Sequence, residues 1–242
     1  MSEQKPEEKK IEVDIQSPFG PRIAIAKLPM HIVDNLNKFC DGLVEQKQEE
    51  KAKIDKSANL VGHVTEELFC DMNHEGCHEL GGILSGICKS MHNTYSEMKG
   101  IHEEAPPEAI NILDSWFVRS YDGDYNPCHI HTNCQYSCIL YLKVPDSISD
   151  KNFRNAKETY TTEGYIDFIY GSNAVNTSSN FTRQPIVGDL YVFPAHLMHV
   201  AYPFFGEGER RSFSANIILE YPQQMSFTEA DTEKKVDESV NG

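Results

Sequence analysis

Residues 128–142 read CHIHTNCQYSCILYL. Two histidines, His129 and His131, stand one residue apart at the head of an apolar run that contains Ile139, Tyr141 and three leucine or cysteine neighbours. In an extended strand, side chains at i and i+2 share a face, and a rise of ~3.3 Å per residue separates their Cα atoms by ~7 Å. His129 and His131 can therefore converge on one ion while Cys128 and Ile130 face away. Such a pair needs a third ligand from a distant part of the chain.

The same texture recurs on both sides of this stretch. SWFVRSY (115–121), YSCILYLKVP (136–145), GYIDFIYG (164–171), GDLYVFP (188–194), HVAYPF (199–204) and RRSFSANIILEY (210–221) are short runs rich in Val, Ile, Tyr and Phe, separated by turn residues. Six such runs at close intervals predict an antiparallel sandwich or barrel of the jelly-roll kind. Upstream the period changes. Ile32, Leu36, Phe39 and Leu43 mark one face of an amphipathic helix within 30–49, and Leu80, Ile83, Leu84, Ile87 and Met91 mark a second within 80–98. The polar residues 46–57 between them read as helix end or loop. Ahead of both, IEVDIQSPFGPRIAIAKLP (11–29) reads as short strands around a turn at Pro18, Gly20 and Pro21. The fold class is α+β, mainly β, with the N-terminal helices packed on one sheet.

The third histidine comes from HLMHV (196–200). Pro194 ends the run GDLYVFP and His199 opens the next, so His199 is the expected inward residue and His196 a loop residue. Imidazole suits zinc, copper, iron and nickel alike, so the histidines alone leave the metal open. Farther on, Arg210, Ser212, Ser214 and Asn216 share one strand face. A guanidinium inside a barrel calls for an anion, and a carboxylate taken bidentately is its natural partner. Tyr141 can add a hydroxyl from the neighbouring strand, although the same residue also reads as a plain core tyrosine. Arg210 has its own competing reading, an ion pair with Glu207 or Glu209.

The series HIH, CILYL, GDLYVFPAHLMHVAYPF and ERRSFSANI resembles the iron(II)- and 2-oxoglutarate-dependent oxygenases, in particular the prolyl-hydroxylase-like branch common in phages and marine microbes. The resemblance covers about 112–221 and implies a double-stranded β-helix. It implies that His129 and His199 bind Fe(II), and that Arg210 and Tyr141, with Ser212 beside them, hold the distal carboxylate of 2-oxoglutarate. Most of these enzymes carry Asp or Glu where this chain has His131. The phage-associated branch has a recurring H-x-H pattern, so the resemblance makes His131 a third ligand. Three imidazoles leave three positions of an octahedral ion for 2-oxoglutarate and dioxygen. The implied reaction is hydroxylation of a C–H bond with loss of succinate and carbon dioxide, with ascorbate as an accessory reductant. The implied substrate is a prolyl or other amino-acid side chain in a peptide or protein, or a small molecule. Because histidine binds metal only when unprotonated, occupancy is expected to fall below pH ~6.5.

Composition narrows the alternatives. Lys plus Arg number 22 against 37 Asp plus Glu, a net charge of −15 over 242 residues, which disfavours nucleic acid and anionic membranes as partners. No apolar run approaches the ~18 residues of a membrane span. Seven cysteines and an N-terminus without a signal-peptide core lead us to expect reduced thiols and a cytoplasmic protein, in a host cytoplasm if the source is viral. Cys70, His74, Cys77 and His78 are possible zinc ligands, but their spacing matches no usual paired knuckle. Cys128, Cys134 and Cys138 lie near histidines without a local signature of a thiol nucleophile. Residues 1–10 and 227–242 are too polar to order themselves, leaving a single expected domain at 11–226. The competing function is a non-catalytic jelly-roll protein that binds a metal or ligand, and no feature fixes an oligomeric state.

Overall fold

The computed structural model describes residues 11–16, 20–57, 62–99, 107–149, 162–172 and 174–222. Both polar ends expected to be unstructured lie outside these residues, as does most of 145–163.

Among the described residues, eleven strands form two sheets. β1 (Val13–Gln16), β2 (Ile23–Lys27), β3 (Glu66–Phe69), β4 (Ala109–Ser120), β6 (Tyr136–Lys143), β9 (Asp189–Pro194) and β11 (Arg210–Glu220) make the larger, in the order β1-β2-β9-β6-β11-β4-β3. β5 (Asn126–His129), β7 (Ile166–Ile169), β8 (Asn180–Arg183) and β10 (Met198–Ala201) make the smaller, in the order β5-β10-β7-β8. All pairings are antiparallel. From β4 onward the chain alternates between the sheets, apart from the β7–β8 hairpin, which is the winding of a double-stranded β-helix.

Each of the six runs read from the sequence forms a strand, because each supplies alternating apolar residues to a buried face. The outer face of the larger sheet carries the helices. α1 (Met30–Val44) buries Ile32, Val33, Leu36, Cys40 and Leu43. α3 (His78–Lys99) buries Leu80, Leu84, Ile87, Cys88 and Met91. These side chains pack on Leu68, Phe117, Leu140, Phe213 and Ile217 of the sheet in one core. Phe39 is only half-buried, its ring stacked on His74 at 3.8 Å between centroids. Between the sheets a smaller core gathers Tyr141, Ile166, Phe168, Tyr191, Phe193 and Leu197.

Part of 46–57 is a further short helix, α2 (Gln48–Ile54), which buries none of its residues and therefore carries no apolar period to read. β3 and β8 are also absent from the sequence reading, and β5 is read there only as the extended stretch carrying His129 and His131. Each has four residues, and EELF, NPCH and NFTR lack the β-branched alternation that marks the others. A fourth short helix, α4, spans Asp146–Ser149.

The sheet interior decides which residues face a cavity. Across four strands, Tyr141 pairs with Ser212, Ser212 with Val118 and Val118 with Glu67, so all four stand in one row. In the next row, Ile139, Ser214, Trp116 and Phe69 are matched in the same way. The alternate positions, such as Leu68, Phe117 and Phe213, face the helices.

Candidate metal centre

His129 closes β5, and His199 lies opposite it on β10 in the ladder that joins the two strands. Their ring centroids are 4.2 Å apart. The ring of His131 is 5.3 Å from that of His129 and 5.2 Å from that of His199. One ring nitrogen from each of the three lies within 4.8 Å of the others, the only such group of three or more ligating side chains among the described residues. His196, by contrast, is exposed on the turn between β9 and β10.

The route by which His131 arrives differs from the i, i+2 strand argument. β5 ends at His129, and His131 occupies the following loop, where its backbone N–H donates to the carbonyl of Ala195 at 2.9 Å. Cys128 and Ile130 are exposed, so the alternation persists past the end of the strand.

Hydrogen bonds select the tautomer at two of the rings. His129 Nδ1 lies 2.7 Å from the Pro127 carbonyl, and His199 Nδ1 lies 2.9 Å from the Leu197 carbonyl. A carbonyl only accepts, so Nδ1 carries the proton in both, and each Nε2 keeps a free lone pair. Burial keeps all three rings neutral. It lowers the His129 pKa, takes His131 down to about 4 with help from the His129 charge, and takes His199 down to about 3. His131 and His199 are thus ready to bind a cation at pH values well below the 6.5 of free imidazole, lower than residue type alone implies.

The same cavity, of about 280 Å³, is lined by Tyr141, Arg210, Ser212 and Ser214 as well as the three histidines. Arg210 is buried and has no carboxylate within ion-pair distance among the described residues. Its Nη1 donates to the carbonyls of Gly164 and Tyr202 at 3.1 and 2.9 Å, and the guanidinium lies over the Phe204 ring. Asp124, the acid whose field reaches it, is already committed to the Thr65 N–H and hydroxyl, the Tyr121 N–H and His63. A buried cation without an anion is costly unless a ligand supplies one. Burial also pushes the Tyr141 hydroxyl well above its usual range, so it stays protonated and can donate.

Glu209 does not pair with Arg210. It accepts from Arg119 at 2.7 Å and from Arg211 at 2.8 Å, on the opposite face. The residues considered for zinc have other occupations. His74 Nδ1 accepts the Gly76 N–H, His78 Nε2 meets the Asn73 carbonyl, and Cys70 bonds the Ser115 hydroxyl. Burial raises the thiols of Cys77 to about 11 and Cys70 to about 12, which opposes metal binding and nucleophilic roles. Cys138 is buried and Cys128 exposed, neither beside a base that would activate it among the bonds of the described residues.

Sequence reasoning missed Glu67. This acid of β3 is buried, lines the same cavity, and has one carboxylate oxygen without a hydrogen-bond partner. Burial, reinforced by the Asp55 charge, raises its pKa to about 7.

Residues 114–216 match the family model described as "Putative 2OG-Fe(II) oxygenase". A prolyl-4-hydroxylase from Pseudomonas putida superposes with a TM-score of 0.50 at 14% identity, over 86% of this chain and 92% of that one. AviO1 from Streptomyces viridochromogenes Tue57 superposes with a TM-score of 0.51 at 11% identity, over 81% and 89%. At these identities the likeness is one of fold, the double-stranded β-helix. No curated protein matches the chain in sequence.

Proposed function

We propose, from the match of residues 114–216 to the 2OG-Fe(II) oxygenase family model together with the site's geometry, that His129, His131 and His199 hold the ferrous ion of that chemistry and that Arg210 anchors 2-oxoglutarate. One observation carries this reading: three neutral imidazoles within ligand distance of each other share a cavity with a buried guanidinium that has no carboxylate partner among the described residues. The donor set fits a divalent transition ion, and Arg210 fits the end of a dicarboxylate.

With 2-oxoglutarate and dioxygen, ferrous iron supplies oxidation of a C–H bond, the cosubstrate leaving as succinate and carbon dioxide. The chain's own part is to position and to exclude. The carbonyls of Pro127 and Leu197 fix two imidazoles with Nε2 free. Arg210, held by Gly164 and Tyr202, receives the distal carboxylate, and Tyr141 and Ser212, paired across β6 and β11, add hydroxyl donors. Phe168 of the smaller sheet and Phe193 of the larger, whose rings lie 6.2 and 4.8 Å from that of His199, exclude water beside that ring. Replacing a carboxylate ligand by His131 leaves the centre one charge more positive. That charge favours a dianionic cosubstrate and weakens ion binding in its absence.

The reading extends to an amino-acid side chain in a peptide or protein, prolyl or other, as substrate, to ascorbate as accessory reductant, and to action in a cytoplasm. No helix among the described residues is long and apolar enough to cross a membrane. The test is succinate formation from 2-oxoglutarate with ferrous iron and ascorbate. His199→Ala is expected to abolish both iron binding and turnover, and His196→Ala to leave both intact. Absence of iron binding and of succinate in the unmodified protein would instead favour a non-catalytic binding protein on the same scaffold.

A further inference from the structure

On the side of the cavity away from β6, the wall is built from β3 and β4. Glu67 stands in the row of Ser212 and Tyr141 and lies two strands from Ser212, about 10 Å at ~4.8 Å per strand. Only 6% of its surface is accessible, and its Oε2 is buried without a hydrogen-bond partner. Among the described residues no basic group compensates it, and the charge that acts on it, Asp55, has the same sign. Two residues along the same strand face, Phe69 and Trp116 stack with ring centroids 6.0 Å apart, and Trp116 lies 5.8 Å from His131. The Oδ1 of Asn216 is a second buried acceptor without a partner in the same cavity.

Arg210 and ionised Glu67 therefore give one cavity two poles of opposite sign, and neither has an ion-pair partner among the described residues. A buried carboxylate without donors is stabilised by a cation, and aromatic faces beside it favour the same kind of guest. A neutral apolar substrate would leave the carboxylate as costly as it is in the empty cavity.

We propose that Glu67, with Phe69 and Trp116, forms a subsite for a positively charged nitrogen, an alkylammonium or guanidinium group carried by the substrate. The inference rests on the oxygenase reading only in calling that molecule the substrate. The cation subsite itself needs neither iron nor 2-oxoglutarate. Bound there, the cation would lie against the wall that also carries Trp116, and the carbon chain bearing it would extend past His131 toward the metal centre.

Trp116 is the sole tryptophan of the chain, so its fluorescence reports on this wall directly. The full chain, free of metal, is titrated at constant ionic strength with butylammonium, butylguanidinium and the neutral butanol. A saturable change with either cation, absent with butanol and at least tenfold weaker in Glu67→Gln, is expected. An equal response to butanol, no response, or the same affinity in Glu67→Gln would overturn the proposal. Should Glu67→Gln fail to fold, Phe69→Leu decides: unaltered cation affinity in that variant also overturns it. Acetylated, amidated lysine and arginine tripeptides form a second arm. Tighter binding of these than of the simple amines assigns the cation to a peptide, and the reverse assigns it to a small amine. Iron titration and succinate formation are measured separately, so failure of the oxygenase reading leaves the cation result standing, and the converse.

Discussion

Arg210 and Arg211 are neighbours in sequence with opposite environments. Arg210 faces the cavity with no ion-paired acid among the described residues, whereas Arg211 faces α1 and pairs with Asp41 at 2.8 Å and with Glu209. The pleat of β11 alone separates the proposed cosubstrate anchor from an ion-paired residue of the opposite face. Arg210→Ala is expected to weaken 2-oxoglutarate binding by roughly ten- to a hundredfold, the equivalent of charge-assisted hydrogen bonds worth about 1.5–3 kcal/mol. Arg211→Ala should instead cost about 1–3 kcal/mol of folding stability, because it removes a buried guanidinium that bonds Glu209 and Asn37 while Arg119 and Lys143 still compensate Glu209. Cosubstrate titration and denaturant unfolding of both variants separate the two roles.

Gly164 holds Arg210 through its carbonyl while occupying the left-handed region at φ 73°. A Cβ there would come within 2.5 Å of Ile148 Cδ1. Gly164→Ala should lower stability by about 1–3 kcal/mol and, by moving the carbonyl, raise the KM for 2-oxoglutarate. Unchanged KM in a destabilised variant would show that Arg210 is positioned by Tyr202 alone.

His131→Asp places an acidic side chain at the position proposed for the third ligand. One added negative charge should tighten ferrous binding in the absence of 2-oxoglutarate and shrink the gain that 2-oxoglutarate produces. Iron titrations with and without the cosubstrate, in both proteins, measure that ratio. A ratio that does not move would mean that His131 is not a ligand.

Glu67 makes stability depend on pH. Its folded pKa of about 7 stands above the ordinary 4.5, so the folded state binds the proton more tightly than the unfolded chain does. The resulting stabilisation is complete below pH 4.5 and is lost as pH rises through 7. The difference corresponds to about 3 kcal/mol. Glu67→Gln, which keeps the shape and removes the charge, should therefore be more stable than the native chain at pH 8 and about equal to it at pH 4.5. Denaturant midpoints at the two pH values check this, and a gap independent of pH would place the titration elsewhere.

The fold was legible where burial imposes a period. SWFVRSY, YSCILYLKVP and RRSFSANIILEY alternate because one side of each strand meets helices and the other a cavity, and Arg210, Ser212, Ser214 and Asn216 could be placed on one face from spacing alone. The same spacing separated His199 from His196 through the break at Pro194. Glu67 was not legible, since EELF lies between polar loops and nothing local tells an exposed edge acid from a buried one. His131 reached the site by a backbone bond to Ala195, a residue 64 positions away, which no strand period encodes. The depth of the histidines, and with it their low pKa values, also follows from tertiary packing.

β11 is the last strand of the described chain, yet it lies in the middle of the larger sheet, zipped between β6 and β4. Until it is in place those two strands present open edges, and Arg210 is not in the cavity at all. A nascent chain still lacking this segment would be inactive and adhesive at once, so its synthesis should call for chaperone cover until translation has passed residue 220.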